Sequence, residues 1–261
     1  AAKNSGNIGK QTVGFSGLAQ PFVQTFAYDS LQRLTEAKET SNGNQTWREI
    51  YDYDRYGNRT THNKFIGTNE VTQTDETRPE IDNTKNRFKP TEGYTFDANG
   101  NIVIDYTGRQ FTFNGDNKQT QVKDAQNRLV GKYFYDGEGK RVKKLTYDQY
   151  GVEKDVTVFV YSIGKLIAEY TTEAPPTNPT TRFTITDQLG SPRVILDSAG
   201  DVVSRRDFLP FGEEIAPDTT YRTDTLKYGR TDNVRQKFTG YQKDEETGLD
   251  FAEARMYENR H

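Results

Sequence analysis

The sequence predicts an all-β protein, an array of β-hairpins with little helix. Three observations predict it. One unit recurs along the chain: an aromatic residue, Asp, a short run of turn residues, then Asn, Arg or Lys with an aliphatic. Apolar residues alternate with period two in Tyr94/Phe96, Ile102/Ile104, Phe111/Phe113, Tyr133/Tyr135 and Val156/Val158/Val160, which puts each set on one face of a strand. Turn signals between these runs fall every roughly 8–12 residues, as short antiparallel strands require.

The unit is clearest at Tyr133–Val142, where Tyr135-Asp136 precedes Gly137, Gly139 and a returning Lys140-Arg141-Val142. Asp136 ends the strand because its short carboxylate accepts local backbone N–H groups. Gly137 and Gly139 are both expected to supply positive φ, which costs glycine little. Copies stand at Tyr28-Asp29, at Tyr53-Asp54 with Gly57, at Phe96-Asp97 with Gly100, at Lys123-Asp124 and at Leu196-Asp197, and a weaker one at Tyr161 with Gly164. Tyr28 to Tyr53 is 25 residues and Tyr135 to Tyr161 is 26, inside the period range of repeat architectures. Stacked repeats are expected to place ring on ring, and to pair the Asp of one turn with a basic residue of the neighbouring turn.

In chain order, residues 1–25 read as an irregular lead-in or degenerate repeat. Residues 26–170 read as the repeat sheet, interrupted by a polar loop at 61–92. Within it Trp47, Tyr51 and Tyr53 share a face that Glu49 interrupts. Residues 171–181 are rich in Pro and Thr, which excludes a central strand, and form a connector. Residues 182–261 follow as a last region with two further strand pairs, a Leu209-Pro210-Phe211-Gly212 turn, a polar loop at 216–234 and a tail read as strand.

Composition limits the function classes. Only 32% of residues are hydrophobic, but 16 Tyr and 15 Phe supply large side chains suited to thin sheets. There is no Cys, so disulfides, thiolate metal sites and cysteine nucleophiles are excluded. No run is long and apolar enough to be a membrane-spanning helix. A net charge of −3 provides no broad basic field for nucleic acid. The chain begins Ala1-Ala2-Lys3 and reads as a piece of a longer protein.

Candidate chemistry is sparse. Asp97-Ala98-Asn99-Gly100-Asn101 has Gly in the wrong place for a calcium loop and reads as a hairpin turn. His62 and His261 are the only imidazoles, the first in a polar stretch and the second terminal. Glu213-Glu214 and Asp244-Glu245-Glu246 read as solvated charge runs. Tyr56, Tyr150 and Tyr221 could stack on sugar rings but read as turn residues. No catalytic, cofactor-binding or metal residue is assigned, no cofactor is expected, and the expectation is that the chain is not an enzyme.

The repeated units resemble the YD repeats of the rearrangement-hotspot (Rhs) family. The C-terminal region is similar to its Rhs-associated core. That likeness rests on Thr186-Asp187-Gln188-Leu189-Gly190-Ser191-Pro192-Arg193, Arg206–Glu213 with Pro210 and Gly212, Lys237–Leu249 with Gly240 and Gly248, and Ala254-Arg255-Met256-Tyr257, four motifs in order. The resemblance implies a spiralling sheet, part of a hollow β-shell, from a large secreted or cell-surface bacterial protein. Its implied partner is a variable C-terminal toxin or effector of the same polypeptide. The alternative is an adhesion, glycan-binding or self-assembling fibre protein with a teneurin-like role. Arg193 and Arg255 are expected to be structural, bonded to Asp187 or Asp207. The family's aspartate self-cleavage site is expected beyond His261, so no cleavage residue is assigned, and Asp244 and Asp250 are taken as core-motif residues.

Overall fold

A computed structural model describes residues 6–72, 79–163, 165–173 and 181–259. The expected turn glycine Gly164, most of the Pro/Thr connector and His261 lie outside these residues. The chain forms two compact units. The first comprises 1–92 with 216–228, the second 93–215 with 229–260.

Unit 1 is built on a six-stranded antiparallel meander of β1 (Lys10–Val13), β2 (Phe22–Tyr28), β3 (Leu34–Ser41), β4 (Asn44–Tyr53), β5 (Arg59–Ile66) and β6 (Asn69–Val71), each strand paired with the next. A short ribbon of β7 (Ile81–Asp82) and β8 (Arg87–Phe88) follows. The lead-in therefore contributes β1, and the predicted polar loop contains most of β5 and all of β6, β7 and β8. Period-two burial is plain in β3, where Ala37, Glu39 and Ser41 are buried and their neighbours are not. Phe22, Ala37, Trp47 and Tyr51 form the apolar part of this buried face. Glu49 does not interrupt it. Glu49 is itself 2% exposed, accepts the Tyr51 hydroxyl, and lies 2.8 Å from His62 Nε2. His62 accordingly sits on β5, buried and stacked on Tyr51, rather than in a loop.

Unit 2 contains an eight-stranded meander of β9 (Thr95–Phe96), β10 (Ile102–Ile104), β11 (Gln110–Phe113), β12 (Gln119–Lys123), β13 (Leu129–Tyr135), β14 (Arg141–Tyr147), β15 (Glu153–Ser162) and β16 (Lys165–Thr171). Two three-stranded sheets accompany it. One is β17 (Phe183–Thr186), β18 (Pro192–Leu196) and β19 (Val202–Arg205). The other is β20 (Gln242–Asp244), β21 (Leu249–Ala252) and β22 (Arg255–Tyr257). The core gathers Phe111, Val122 and Tyr133 of the long sheet with Leu249 of β21, and Met256 of β22 packs against them. The helices of the described residues are three short 3-10 turns. No helix among them is long and apolar enough to cross a membrane. The all-β expectation holds.

One turn connects most of these strands. Asp29, Asp54, Asp97, Asp105, Asn114, Asp124, Asp136, Asp148, Asp187 and Asp197 each accept, through Oδ1, the backbone N–H groups two and four residues on, at 2.8–3.1 Å. The third residue after each has φ between 57° and 91°, and is Gly in seven of these turns and Asn or Gln in the rest. This is a tight turn closed by a bulge, and the ladder register shifts beside it. The turns at Asp105, Asn114, Asp148 and Asp187 were not expected as copies. Gly137 does not have positive φ; only Gly139 does, at 79°. In unit 2 the turns alternate between the two ends of the long sheet, Asp97, Asn114 and Asp136 at one and Asp105, Asp124 and Asp148 at the other; in unit 1 the turn between those of Asp29 and Asp54 is a two-residue Asn42-Gly43 hairpin instead.

Candidate functional site: the motif residues and where they meet

The repeat residues act as a coupled set. Tyr28, Tyr53, Tyr135 and Tyr161 each donate their hydroxyl to a backbone carbonyl at or just before the start of the preceding strand, of Ile8, Leu34, Gln119 and Arg141, at 2.7–3.2 Å. The basic residue just before three of those carbonyls lies over the same ring: Arg33 over Tyr53 at 4.8 Å, Lys118 over Tyr135 at 5.9 Å, Lys140 over Tyr161 at 5.7 Å. Cation on ring thus replaces the expected ring on ring for these tyrosines. The ion pairs also differ from expectation. Arg33–Asp29, Arg109–Asp105 and Arg128–Asp124 each close within one turn, at 2.7 Å, instead of reaching a neighbouring turn. Backbone donors and the partnering side chain hold the carboxyls of Asp29, Asp54, Asp97 and Asp124 below the ordinary carboxylate range. Phe96 is half-buried on β9, while Tyr56 and Tyr150 are exposed at turns.

The four C-terminal motifs converge in unit 2. Asp187 opens a turn with Gly190 at φ 87°, and Ser191 Oγ accepts the Thr239 N–H at 3.0 Å. A Cβ on Gly240 would stand 3.4 Å from the Gly190 carbonyl, so the first and third motifs approach backbone to backbone. Pro192 is buried at the start of β18. Arg193 pairs with Asp207, and with Asp187 at 3.7 Å. Gly212 closes the turn that starts at Leu209 and contains Pro210. A Cβ there would fall 2.5 Å from the Phe238 ring. Tyr257 donates its hydroxyl to the Phe211 carbonyl at 2.6 Å. Gly248, at φ 71°, turns the chain into β21 and brings Leu249 to the core. Arg255 is exposed, unlike Arg193.

At the centre is a buried ionic cluster that the sequence reading placed in solvent. Asp244 is fully buried. Its Oδ2 accepts Arg141 Nη1 at 2.5 Å and its Oδ1 accepts Lys144 Nζ at 3.1 Å. Lys144 also reaches Glu246, which accepts the Tyr133 hydroxyl at 3.0 Å. Arg141 donates to Gln242, and its guanidinium lies 3.9 Å from the Phe251 ring and 5.1 Å from Phe159. Glu245, between the two buried acids, is exposed, so the run alternates as a strand and its turn do rather than lying flat in water. Burial, then the Asp244 charge, raises the Glu246 carboxyl; burial raises the Tyr133 phenol far more. The only sequence signal for this cluster was the spacing of charges in β14 and β20, which resembles an ordinary polar face.

A cavity of about 420 Å³ in unit 2 is lined by Phe208, Gly212, Lys237, Lys243, Asp250 and Glu258 among others. Asp250 is 2% exposed, its Oδ1 has no hydrogen-bond partner, and burial pushes its carboxyl up to about 6. Such a carboxyl exchanges a proton near neutrality. Among the described residues no group of three or more His, Cys, Asp or Glu is arranged to hold a metal ion.

No family model matches the chain. It is 28% identical over 229 residues to the tRNA3(Ser)-specific nuclease WapA of Bacillus spizizenii, and 29% over 244 residues to the tRNA nuclease WapA of Bacillus subtilis strain 168. Each match takes in 80% of this chain and 9% of the relative's length. These names correct the expectation that the chain is not an enzyme: the curated relatives it matches are nucleases, and the chain corresponds to a small part of them. Among solved structures it is similar to TcdB2-TccC3 without its hypervariable C-terminal region, with a TM-score of 0.68 and 19% identity over 91% of this chain and 14% of that one. It is similar to the Photorhabdus luminescens Tc holotoxin pore with the TccC3-D651A mutation at a TM-score of 0.67, 19% identity and the same coverage. By these likenesses the chain has the fold of a segment of the Tc toxin structures.

Proposed function

We propose that this chain is a shell segment of a longer secreted or cell-surface toxin polypeptide, and that the shell encloses or presents a C-terminal effector. The observation that carries the reading is the turn-locked antiparallel meander in both units, whose fold follows Tc toxin structures over 91% of the chain. The polypeptide as a whole is read as an enzymatic toxin, in keeping with relatives named as tRNA nucleases. The repeat tyrosines and Asp turns suit the role, since they fix register over a long sheet without a thick apolar core. The four C-terminal motifs and the Arg141–Asp244 cluster would terminate the array by seating a small sheet on it.

The test uses the full-length parent polypeptide. Its effector part is compared, within the shell and as an isolated domain, under limited proteolysis. Enclosure predicts that the effector survives in the full polypeptide at protease levels that digest it when isolated. Digestion at equal rates overturns enclosure.

A further inference from the structure

We propose that residues 216–228 are a clasp, and that the buried face of the β1–β6 sheet carries its receptor, a guanidinium-selective site filled by Arg222. The inference rests on the geometry of unit 1 alone and goes beyond the enclosing role.

The segment is polar and mostly exposed. Its two buried residues are Arg222, 1% exposed, and Tyr228, 3% exposed. It carries no regular strand; Tyr228 forms an isolated β-bridge, and Arg222 is its buried charged contact. Arg222 is presented by two local devices. Asp218 accepts the N–H groups of Thr220 and Tyr221 while its own N–H bonds the Arg222 carbonyl at 3.1 Å. Thr223 then caps a single 3-10 turn at 224–226. Leu226 stands against Gly17, where a Cβ would lie 3.8 Å from the Leu226 methyl.

The receptor is shaped for a planar cation. Glu39 is fully buried on β3. Its Oε2 accepts Arg222 Nη2 at 2.9 Å and Gln24 Nε2 at 2.8 Å, and its Oε1 accepts Thr46 Oγ1 at 2.6 Å. The guanidinium carbon lies 4.4 Å from the Phe22 ring and 5.9 Å from the Tyr228 ring. A buried carboxylate with neutral donors on its remaining lone pairs and aromatic rings beside the ion recognises guanidinium over a compact ammonium. Lifting the clasp would leave the Glu39 charge without its ion-pair partner in the sheet's buried face, so an arginine side chain is the occupant the site selects.

The test is chemical rescue in the full chain. Arg222→Ala should lower the unfolding midpoint by roughly 5–15 °C. Millimolar methylguanidinium should restore part of that loss, where methylammonium and sodium chloride at equal ionic strength do not. An unchanged midpoint, or equal rescue by all three salts, overturns the proposal. Should Arg222→Ala not fold, Glu39→Gln keeps the shape and weakens the receptor. Hydrogen exchange should then quicken by about tenfold across residues 216–228 and stay unchanged in the β9–β16 sheet. Unchanged exchange in 216–228 overturns the clasp.

Discussion

At the residue scale, the repeat is a device for satisfying a turn. A carboxylate placed at the end of a strand takes two N–H groups that would otherwise point into solvent or be lost, and the repeat tyrosine is tied to the start of the preceding strand. Asn114 performs the same role with an amide oxygen, so the geometry needs the acceptor rather than the charge. The position three residues on is decided by backbone conformation. Gly139 has positive φ, and an added Cβ would meet Lys118 Cε at 3.0 Å. Gly137 has neither constraint. Gly139→Val should therefore destabilise by about 1–3 kcal/mol, whereas Gly137→Ala should be close to neutral. Thermal unfolding of the two variants checks this; equal midpoints would refute the turn assignment.

At the element scale, β20 and β21 are seated on the long sheet by charge as much as by apolar contact. Leu249 and Phe251 enter the core, but the strand between the sheets also carries Asp244 to Arg141 and Lys144. Removing Asp244 leaves the buried Arg141 without its ion-pair partner, at a cost of about 3–5 kcal/mol. Asp244→Ala is expected to show that loss in denaturant unfolding. A double variant, Asp244→Ala with Arg141→Met, should recover part of it, because the remaining pair of Lys144 and Glu246 is self-sufficient. A double variant whose loss equals the sum of the single losses would show that the cluster does not act as a coupled unit.

At the scale of the whole molecule, two sets of carboxyls set the pH window of stability. Asp29, Asp54, Asp97 and Asp124 are lowered, so their contribution is present above the ordinary Asp value and is lost as pH falls through their folded values. Asp250 is raised to about 6 and Glu246 is raised as well, so ionising them costs stability as pH rises from the ordinary carboxylate range to their folded values. Stability should therefore be greatest at about pH 4–5. Asp250→Asn should flatten the decline on the side toward neutrality and leave the acid limb in place. A midpoint profile that rises steadily to neutral pH, unchanged in Asp250→Asn, would contradict this assignment.

The sequence by itself determined the all-β class, the strand-turn-strand unit and the presence of four C-terminal motifs. These are local: strand alternation and an Asp turn are fixed by neighbours within a few residues, and each leaves its mark in composition. Copies at Asp105, Asn114 and Asp148 were hidden because each departs from the unit: Ile104 stands in place of the aromatic, Asn114 in place of the Asp, and Val152 in place of the Asn, Arg or Lys. What only the tertiary structure decided is which polar residues are interior. Glu39, Glu49, His62, Arg222 and Asp244 carry no local sign of burial, since a charge in a strand is equally compatible with water until a partner from distant sequence arrives. Arg222 meets Glu39 and Arg141 meets Asp244 across 183 and 103 residues, separations at which periodicity holds no information. The physical reason is desolvation: a buried ion is tolerable only with its partner, and the partner's position is a property of the fold.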